Sequence, residues 1–224
     1  MATNELTSAW SPALIDCGGP PPGDIATVIG AAAWWRLTDD IRRRFACSAA
    51  HTQYQTFAGV MTVVRASMAG RILAHVCRLI GTPLAPFTGS DVPVTVRVDP
   101  APKGRGVRWE REYAFATGQK VIVRSTKIVD PAGSRLLELV GGGFGMLLDV
   151  FEQDRALHFV STRYFWQGLG VRVYLPDLLS PGIAHVIHTD IGGGRFRFTI
   201  AITHPLLGLM FYQDGVFAEA GEVR

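Results

Sequence analysis

Cysteine is scarce in this sequence. Cys17, Cys47 and Cys77 are odd in number and far apart, with no Cys-x-x-Cys pair. That excludes a disulfide framework and a structural zinc site as organising features, and reduced thiols in a cytoplasmic protein are expected. Long apolar runs are missing too. No window approaches the roughly 18 uninterrupted apolar residues of a spanning helix, so no membrane span is expected. The opening MATNELTSAW has no basic segment followed by an apolar run, and no signal peptide is expected. Charge is also thin. Only 18% of residues are charged, the net charge is +3, and no dense Lys/Arg run occurs. Arg42, Arg43 and Arg44 share one helical turn and read as a solvated helix face, so no nucleic-acid partner is expected.

What is present is apolar sequence: 48% of 224 residues, enough for one domain with a sizeable core. Residues 1–24 form a polar lead-in whose run Gly18-Gly-Pro-Pro-Pro-Gly23 fits neither helix nor central strand. Residues 25–224 read as a single β-rich domain. A helix is expected over Asp24 to Phe45, with Trp34, Trp35, Leu37 and Ile41 at helical spacing. A strand through Tyr54–Val64 follows, in which Gly59 marks a bulge or a close approach. A second helix runs from Ser67, its N-cap, to Ile80, with Gly81 as its stop. Met68, Ile72, Leu73, Val76 and Leu79–Ile80 form its apolar stripe.

From residue 92 nearly everything reads as strand: Val92–Asp99, Gly106–Ala116, Gln119–Asp130, Arg135–Val140, Phe144–Glu152, Ala156–Gln167, Ala184–Asp190, Arg195–Thr203 and Met210–Phe217. Short turns separate these strands. The expected class is α+β: a large antiparallel β-meander, closed as an open barrel or a strongly curved sheet, with two main helices near the N-terminus. Leu169–Pro181 interrupts the meander and reads as a lid or crossover.

The familiar catalytic signatures are absent. Gly141-Gly142-Gly143-Phe144-Gly145 lacks the Lys-Ser/Thr and the following helix of a phosphate loop, and reads as a bulge or sharp corner. Neither His-Glu-x-x-His nor Gly-x-Ser-x-Gly occurs. His185 and His188 lie three apart on a strand and so point to opposite faces. No metal and no cofactor is expected.

Two hairpins are more informative. With Thr117-Gly118 as a two-residue turn, Tyr113 faces Ile122 and Arg111 faces Arg124. With Pro131–Ser134 as the next turn, Ile128 faces Leu137, Thr126 faces Leu139 and Lys127 faces Glu138. Alternation then gathers Trp109, Arg111, Tyr113, Phe115, Ile122, Arg124, Ile128, Leu137 and Leu139 on one face. Arg108, Glu110, Glu112, Val123, Ser125, Lys127 and Glu138 fall on the other, which reads as solvated. Two opposed arginines on an apolar face require an anion. It is a carboxylate such as Asp149 or Asp190, or an acidic group on a ligand. The competing reading is a register one residue off that puts the arginines in water.

A second cluster, Arg163-Tyr164-Phe165-Trp166 with Tyr174, His185 and His188, suits the wall of an apolar ligand site and equally an ordinary core. A histidine there has the pKa range of a general acid or base.

The motifs also resemble, in order over about residues 50–217, a bacterial domain-of-unknown-function family, number 4166. The matching pieces are Gly59 with Val63-Val64-Arg65, then Leu79-Ile80-Gly81-Thr82-Pro83-Leu84 and Val92-Pro93-Val94. Trp109-Glu110-Arg111, Tyr113, Ser125, Leu137-Glu138 and Gly141 follow. Trp166-Gln167-Gly168-Leu169-Gly170, Leu175-Pro176, Leu179-Ser180-Pro181, Arg195-Phe196-Arg197-Phe198, Pro205-Leu206-Leu207-Gly208, Tyr212 and Gly215 close the series. The resemblance implies a β-rich domain often attached to a saccharopine-dehydrogenase-like or short-chain dehydrogenase-like domain, here without the dinucleotide-binding half. It transfers no mechanism.

The leading expectation is a cavity protein that binds an apolar, acidic small molecule. A cofactor-independent cyclase or isomerase of secondary metabolism is its catalytic form. Arg111, Arg124, Trp109, Tyr113, Arg163 and Trp166 are the expected ligand contacts, and His188, His185 and Tyr164 the proton-transfer groups. The alternative is a non-catalytic accessory module of a separate NAD(P)-dependent oxidoreductase. A third reading is a structural or oligomerising domain, with a homodimer among its forms.

Overall fold

The computed structural model describes residues 25–45, 55–81, 84–101, 106–130 and 135–221. The lead-in over 1–24, Cys17, Cys47 and the Pro131–Ser134 turn lie outside the described residues. Three short helices open the fold: α1 (Ile25–Ile29), α2 (Ala31–Arg36) and α3 (Asp39–Phe45). β1 (Gln55–Ala66) leads to α4 (Met68–Cys77), which tightens into a 3-10 turn at Arg78–Ile80. Then come β2 (Gly89–Pro100), β3 (Val107–Ala114), β4 (Lys120–Val129), β5 (Leu136–Gly141), β6 (Phe144–Gln153) and β7 (Ala156–Gly168). β8 (Val171–Tyr174), a 3-10 turn at Asp177–Leu179, β9 (Ile183–Gly192), β10 (Arg195–His204) and β11 (Gly208–Glu219) complete it.

Every pairing is antiparallel. β11 returns to β1, and β7 pairs with both β6 and β9. Ten strands therefore close into a barrel, and β8 stands outside it against the far half of β7. Closure removes the free edges that a long open sheet would present. The nine strands expected after residue 92 all form. β8 is an addition, within the segment expected to interrupt the meander.

The first expected helix is divided. Gly30 takes φ 82°, which an α-helix cannot continue, and ends α1. A second break follows at Leu37–Thr38, where Thr38 Oγ1 accepts from the Ile41 amide (3.4 Å) and starts α3. Asp39 and Asp40 then fill the first turn, and Arg42 and Arg43 ion-pair with them. Arg44 does not join that solvated face. Its guanidinium turns inward and lies 3.6 Å over Phe196.

α3 closes one end of the barrel. Leu37, Ile41 and Phe45 are buried, and Phe45 stacks on Trp109 and meets His188 edge-on. α4 sits at the opposite end. Ser67 Oγ accepts from the Gly70 amide (3.1 Å), as its N-cap position predicts. Gly70 and Ala74 are the buried residues of this helix. A Cβ on Gly70 would lie 2.2 Å from the Met210 carbonyl oxygen, so the helix backbone packs directly on β11. The expected apolar stripe of α4 is therefore divided: Met68, Ile72, Val76 and Leu79 are exposed, while Leu73 packs against the buried Ala74, Ala184, Ile202, Met210 and Phe211, and Ile80 is half-buried.

The β3–β4 register is one residue away from expectation. Arg111 pairs with Val123, Tyr113 with Val121, and Glu110 with Arg124. The turn holds three residues, Ala116-Thr117-Gly118, closed by the Phe115 amide on Gln119 O (3.0 Å), with Gly118 at φ 80°. A three-residue loop with a left-handed glycine carries the same Thr-Gly signature as a two-residue one. The slip moves a whole strand face. Val121, Val123, Ser125 and Lys127 share the interior with Trp109, Arg111 and Tyr113. Arg124 goes outside and donates to Glu110 (2.7 Å). Arg111 and Arg124 are thus not opposed, and Lys127 and Glu138, expected in water, lie inside. The β4–β5 register is as expected, with Lys127 opposite Glu138 and Ile128 opposite Leu137.

Candidate functional site

The barrel encloses a cavity of about 330 Å³. Its wall is aliphatic and aromatic, with Val123, Met146, Phe159, Val186, Phe198 and Ile200 supplied by five strands. Strand alternation explains the lining, because residues two apart point to the same side. At the α4 end the wall continues into Leu73, Val76 and Ile80, and into Leu175, Leu179 and Pro181 before β9. Val76 and Leu179 both line the cavity and are 57% and 73% exposed. The mouth therefore opens between α4 and the Asp177–Leu179 turn. The α3 plug closes the other end.

The polar part of the wall is compact. Lys127 Nζ and Glu138 Oε1 lie 2.9 Å apart, and the Arg111 guanidinium approaches Ser125 Oγ at 3.5 Å. All four residues line the cavity. Burial pushes the Glu138 carboxyl up, but Lys127 and Arg111, with hydrogen bonds from Ser125 and Lys127, outweigh it and hold it below its usual range. Burial lowers Lys127, partly offset by Glu138. Glu138 is therefore ionised at neutral pH, and its contact with Lys127 favours the ammonium form against burial. Two cations thus answer one carboxylate, and the wall carries one uncompensated positive charge.

Aromatic faces support those cations. Lys127 Nζ lies 5.5 Å from the Trp109 ring and 5.7 Å from Phe159, and Arg111 lies 5.9 Å from Phe198. Two phenols complete the polar wall. Tyr113 donates to Gln213 Oε1 (2.8 Å) and is fully committed. Tyr164 is pushed up to about 12 by burial, with the Glu138 charge adding to it, and pairs only loosely with Ser161 Oγ (3.3 Å). It is a neutral hydrogen-bond donor beside a carboxylate.

The expected site residues divide. Arg111, Tyr113 and Tyr164 line the cavity, and Trp109 packs beneath the cations. Arg124 is on the outer face with Glu110. Arg163 is exposed and stacks on Tyr174 (4.3 Å), while Trp166 Nε1 donates to Gly142 O (3.1 Å). His185 lies outside, 2.9 Å from His158, and His188 lies inside, on opposite faces as strand geometry requires. His188 does not line the cavity. It sits among Phe45, Trp109, Phe159, Phe196 and Phe198, and its Nδ1 has no hydrogen-bond partner among the described residues.

Burial and the nearby Arg44, Lys127 and Arg111 charges hold His188 well below the ordinary histidine range. It is neutral and lies behind the cavity wall, against the outer side of Phe159 and Phe198. Among the described residues, no group of three or more His, Cys, Asp or Glu could hold a metal ion. The sequence reading missed Lys127, Glu138, Ser125 and Gln213. The Val121-x-Val123-x-Ser125 alternation was the available sign that their face is interior.

A family model described as Domain of unknown function (DUF4166) matches residues 37–217. The match spans the barrel and its α3 plug. No curated protein matches.

Proposed function

The chain belongs to the DUF4166 family, and from that premise we propose that its barrel binds one apolar small molecule bearing an acidic or carbonyl head group. One observation carries the reading. An otherwise apolar cavity holds two cations against one carboxylate, at a depth where an uncompensated charge is costly. A ligand carboxylate would satisfy Arg111 and balance the wall. Charge-assisted hydrogen bonds of this kind contribute about 1.5–3 kcal/mol. The volume lies at the small end of the roughly 300–1,000 Å³ range of ligand pockets, which suits a compact or short-chain molecule.

The same wall supplies the two groups that a cofactor-free isomerisation or cyclisation uses. Glu138 is an ionised base, and Tyr164 is a neutral phenol able to donate. Apolar walls that hold a reactive conformer and exclude water would do the rest. This is the catalytic extension of the binding reading. Its proton-transfer groups are Glu138 and Tyr164 rather than the two histidines.

The test is organic extraction of the purified chain followed by mass spectrometry, with titration by a fluorescent polyene fatty acid. An apolar acid in stoichiometric amount, or saturable probe binding competed by short-chain acids, is the expected result. A clean extract together with no probe binding overturns the reading.

A further inference from the structure

α4 is built the wrong way round for a helix that ends its life in contact with water alone. Its smallest residues, Gly70 and Ala74, face the barrel, while Met68, Ile72 and Val76 repeat every four residues along the outside. Met68 is 81% exposed, and Leu79 beyond it 88%. The basic residues Arg71, His75 and Arg78 form the neighbouring stripe, all exposed. Among the described residues neither Arg71 nor Arg78 is in an ion pair, nor is Arg65, exposed at the end of β1, and the sequence holds no Asp or Glu between Asp40 and Asp91. The apolar surface continues across the mouth onto Leu178 and Leu179, and onto Leu206 at the β10–β11 turn. His204 joins the last two segments, its Nε2 lying 3.3 Å from Leu178 O.

We infer that this mouth end docks on the surface of an anionic lipid bilayer, with α4 lying in the interface. Large apolar side chains beside an unbalanced arginine stripe fit a headgroup layer, in which the leucines enter the acyl boundary and the guanidiniums meet phosphate or carboxylate. Among the described residues no helix is long and apolar enough to cross a membrane, so the contact is peripheral. The charge favours a bilayer over an identical partner, because two copies face to face would oppose arginine to arginine. Docking would place the cavity mouth at the acyl boundary, where an apolar acid partitions. That last step rests on the ligand reading above; the docking itself does not.

Vesicle flotation of the full chain, without added ligand, separates the two. Vesicles of three parts phosphatidylcholine to one part phosphatidylserine are compared with phosphatidylcholine alone. Flotation with the mixed vesicles that weakens in high salt is expected. Ile72→Asp with Leu79→Asp should abolish it. Arg71→Glu with Arg78→Glu should weaken it by more than about tenfold, each arginine being worth roughly fivefold near an anionic surface. These side chains are exposed, and an unchanged thermal midpoint verifies the fold. Fatty-acid probe binding in solution should survive both variants, so its loss would bear on the ligand reading alone. No flotation, or flotation indifferent to all four substitutions, overturns the inference. So does a dimer in sedimentation that Ile72→Asp dissolves, since the face would then be a self-contact.

Discussion

Lys127 Nζ lies 2.9 Å from Glu138 Oε1 across the β4–β5 pair, inside the barrel and beneath Arg111. The pair and the arginine form one electrostatic unit. Removing the carboxylate leaves two cations facing each other on an apolar wall. Glu138→Gln should therefore cost about 3–5 kcal/mol in urea unfolding. Replacing both partners, Lys127→Met with Glu138→Leu, should recover most of that loss. A loss under about 1 kcal/mol in the single variant would mean that water reaches the pair freely.

Arg111 has the opposite expectation. Its removal leaves Lys127 and Glu138 as a neutral pair, so Arg111→Met should shift stability by less than about 1 kcal/mol. It should weaken an apolar carboxylate by about ten- to a hundredfold, the loss of one charge-assisted contact. Titration calorimetry with a short-chain acid reads the affinity, and urea unfolding reads the fold. An intact affinity would place the head group elsewhere in the cavity.

Much of this fold was legible because local signals agreed. Ser67 caps α4, Gly81 ends its 3-10 extension, and the strand runs after residue 92 carry their own turns. The Lys127–Glu138 pairing was legible as a register but not as an interior pair. A cross-strand Lys–Glu contact has the same pattern in water and in a cavity, and only the neighbouring strand distinguishes them. That strand was displaced by one residue, because Thr117-Gly118 fits two loop lengths. The direction of α4 was hidden for a different reason. Its Met68–Ile72–Val76 stripe is indistinguishable in sequence from a core stripe, and the clue lay in Gly70 and Ala74, whose smallness permits contact with β11.

Cys77 reports on the cavity directly. It lines the wall near the mouth, and burial raises its thiol. In a Cys17→Ser, Cys47→Ser background it should react with a maleimide more slowly than a free thiol at neutral pH. Saturation with the fatty-acid probe should slow it further, by about tenfold or more. Equal rates with and without probe would show that the bound molecule does not pass this part of the wall.

His188 should make the barrel sensitive to mild acid. Its pKa is lowered in the fold, so the unfolded chain takes up a proton that the folded chain refuses. Stability is then full above the unfolded value of about 6.5 and falls as pH drops below it, by at most about 1.4 kcal/mol per unit. Burial opposes its protonation most, followed by the neighbouring charges of Arg44, Lys127 and Arg111. The lowered carboxylates Glu138, Glu110 and Asp214 act in a lower window, from about pH 4.5 downward. His185 is lowered as well, so it adds to the loss over the same window, from about pH 6.5 downward. His188→Phe places an aromatic ring among five others and removes an unpartnered Nδ1, so it should match or exceed the parent at neutral pH. Most of the loss between about pH 6.5 and 5 should disappear in the variant, measured by urea unfolding at each pH. If the ring overpacks the cage, His188→Leu gives the same comparison, since it also cannot titrate. A pH profile unchanged in both variants would show that the acid sensitivity arises elsewhere in the barrel.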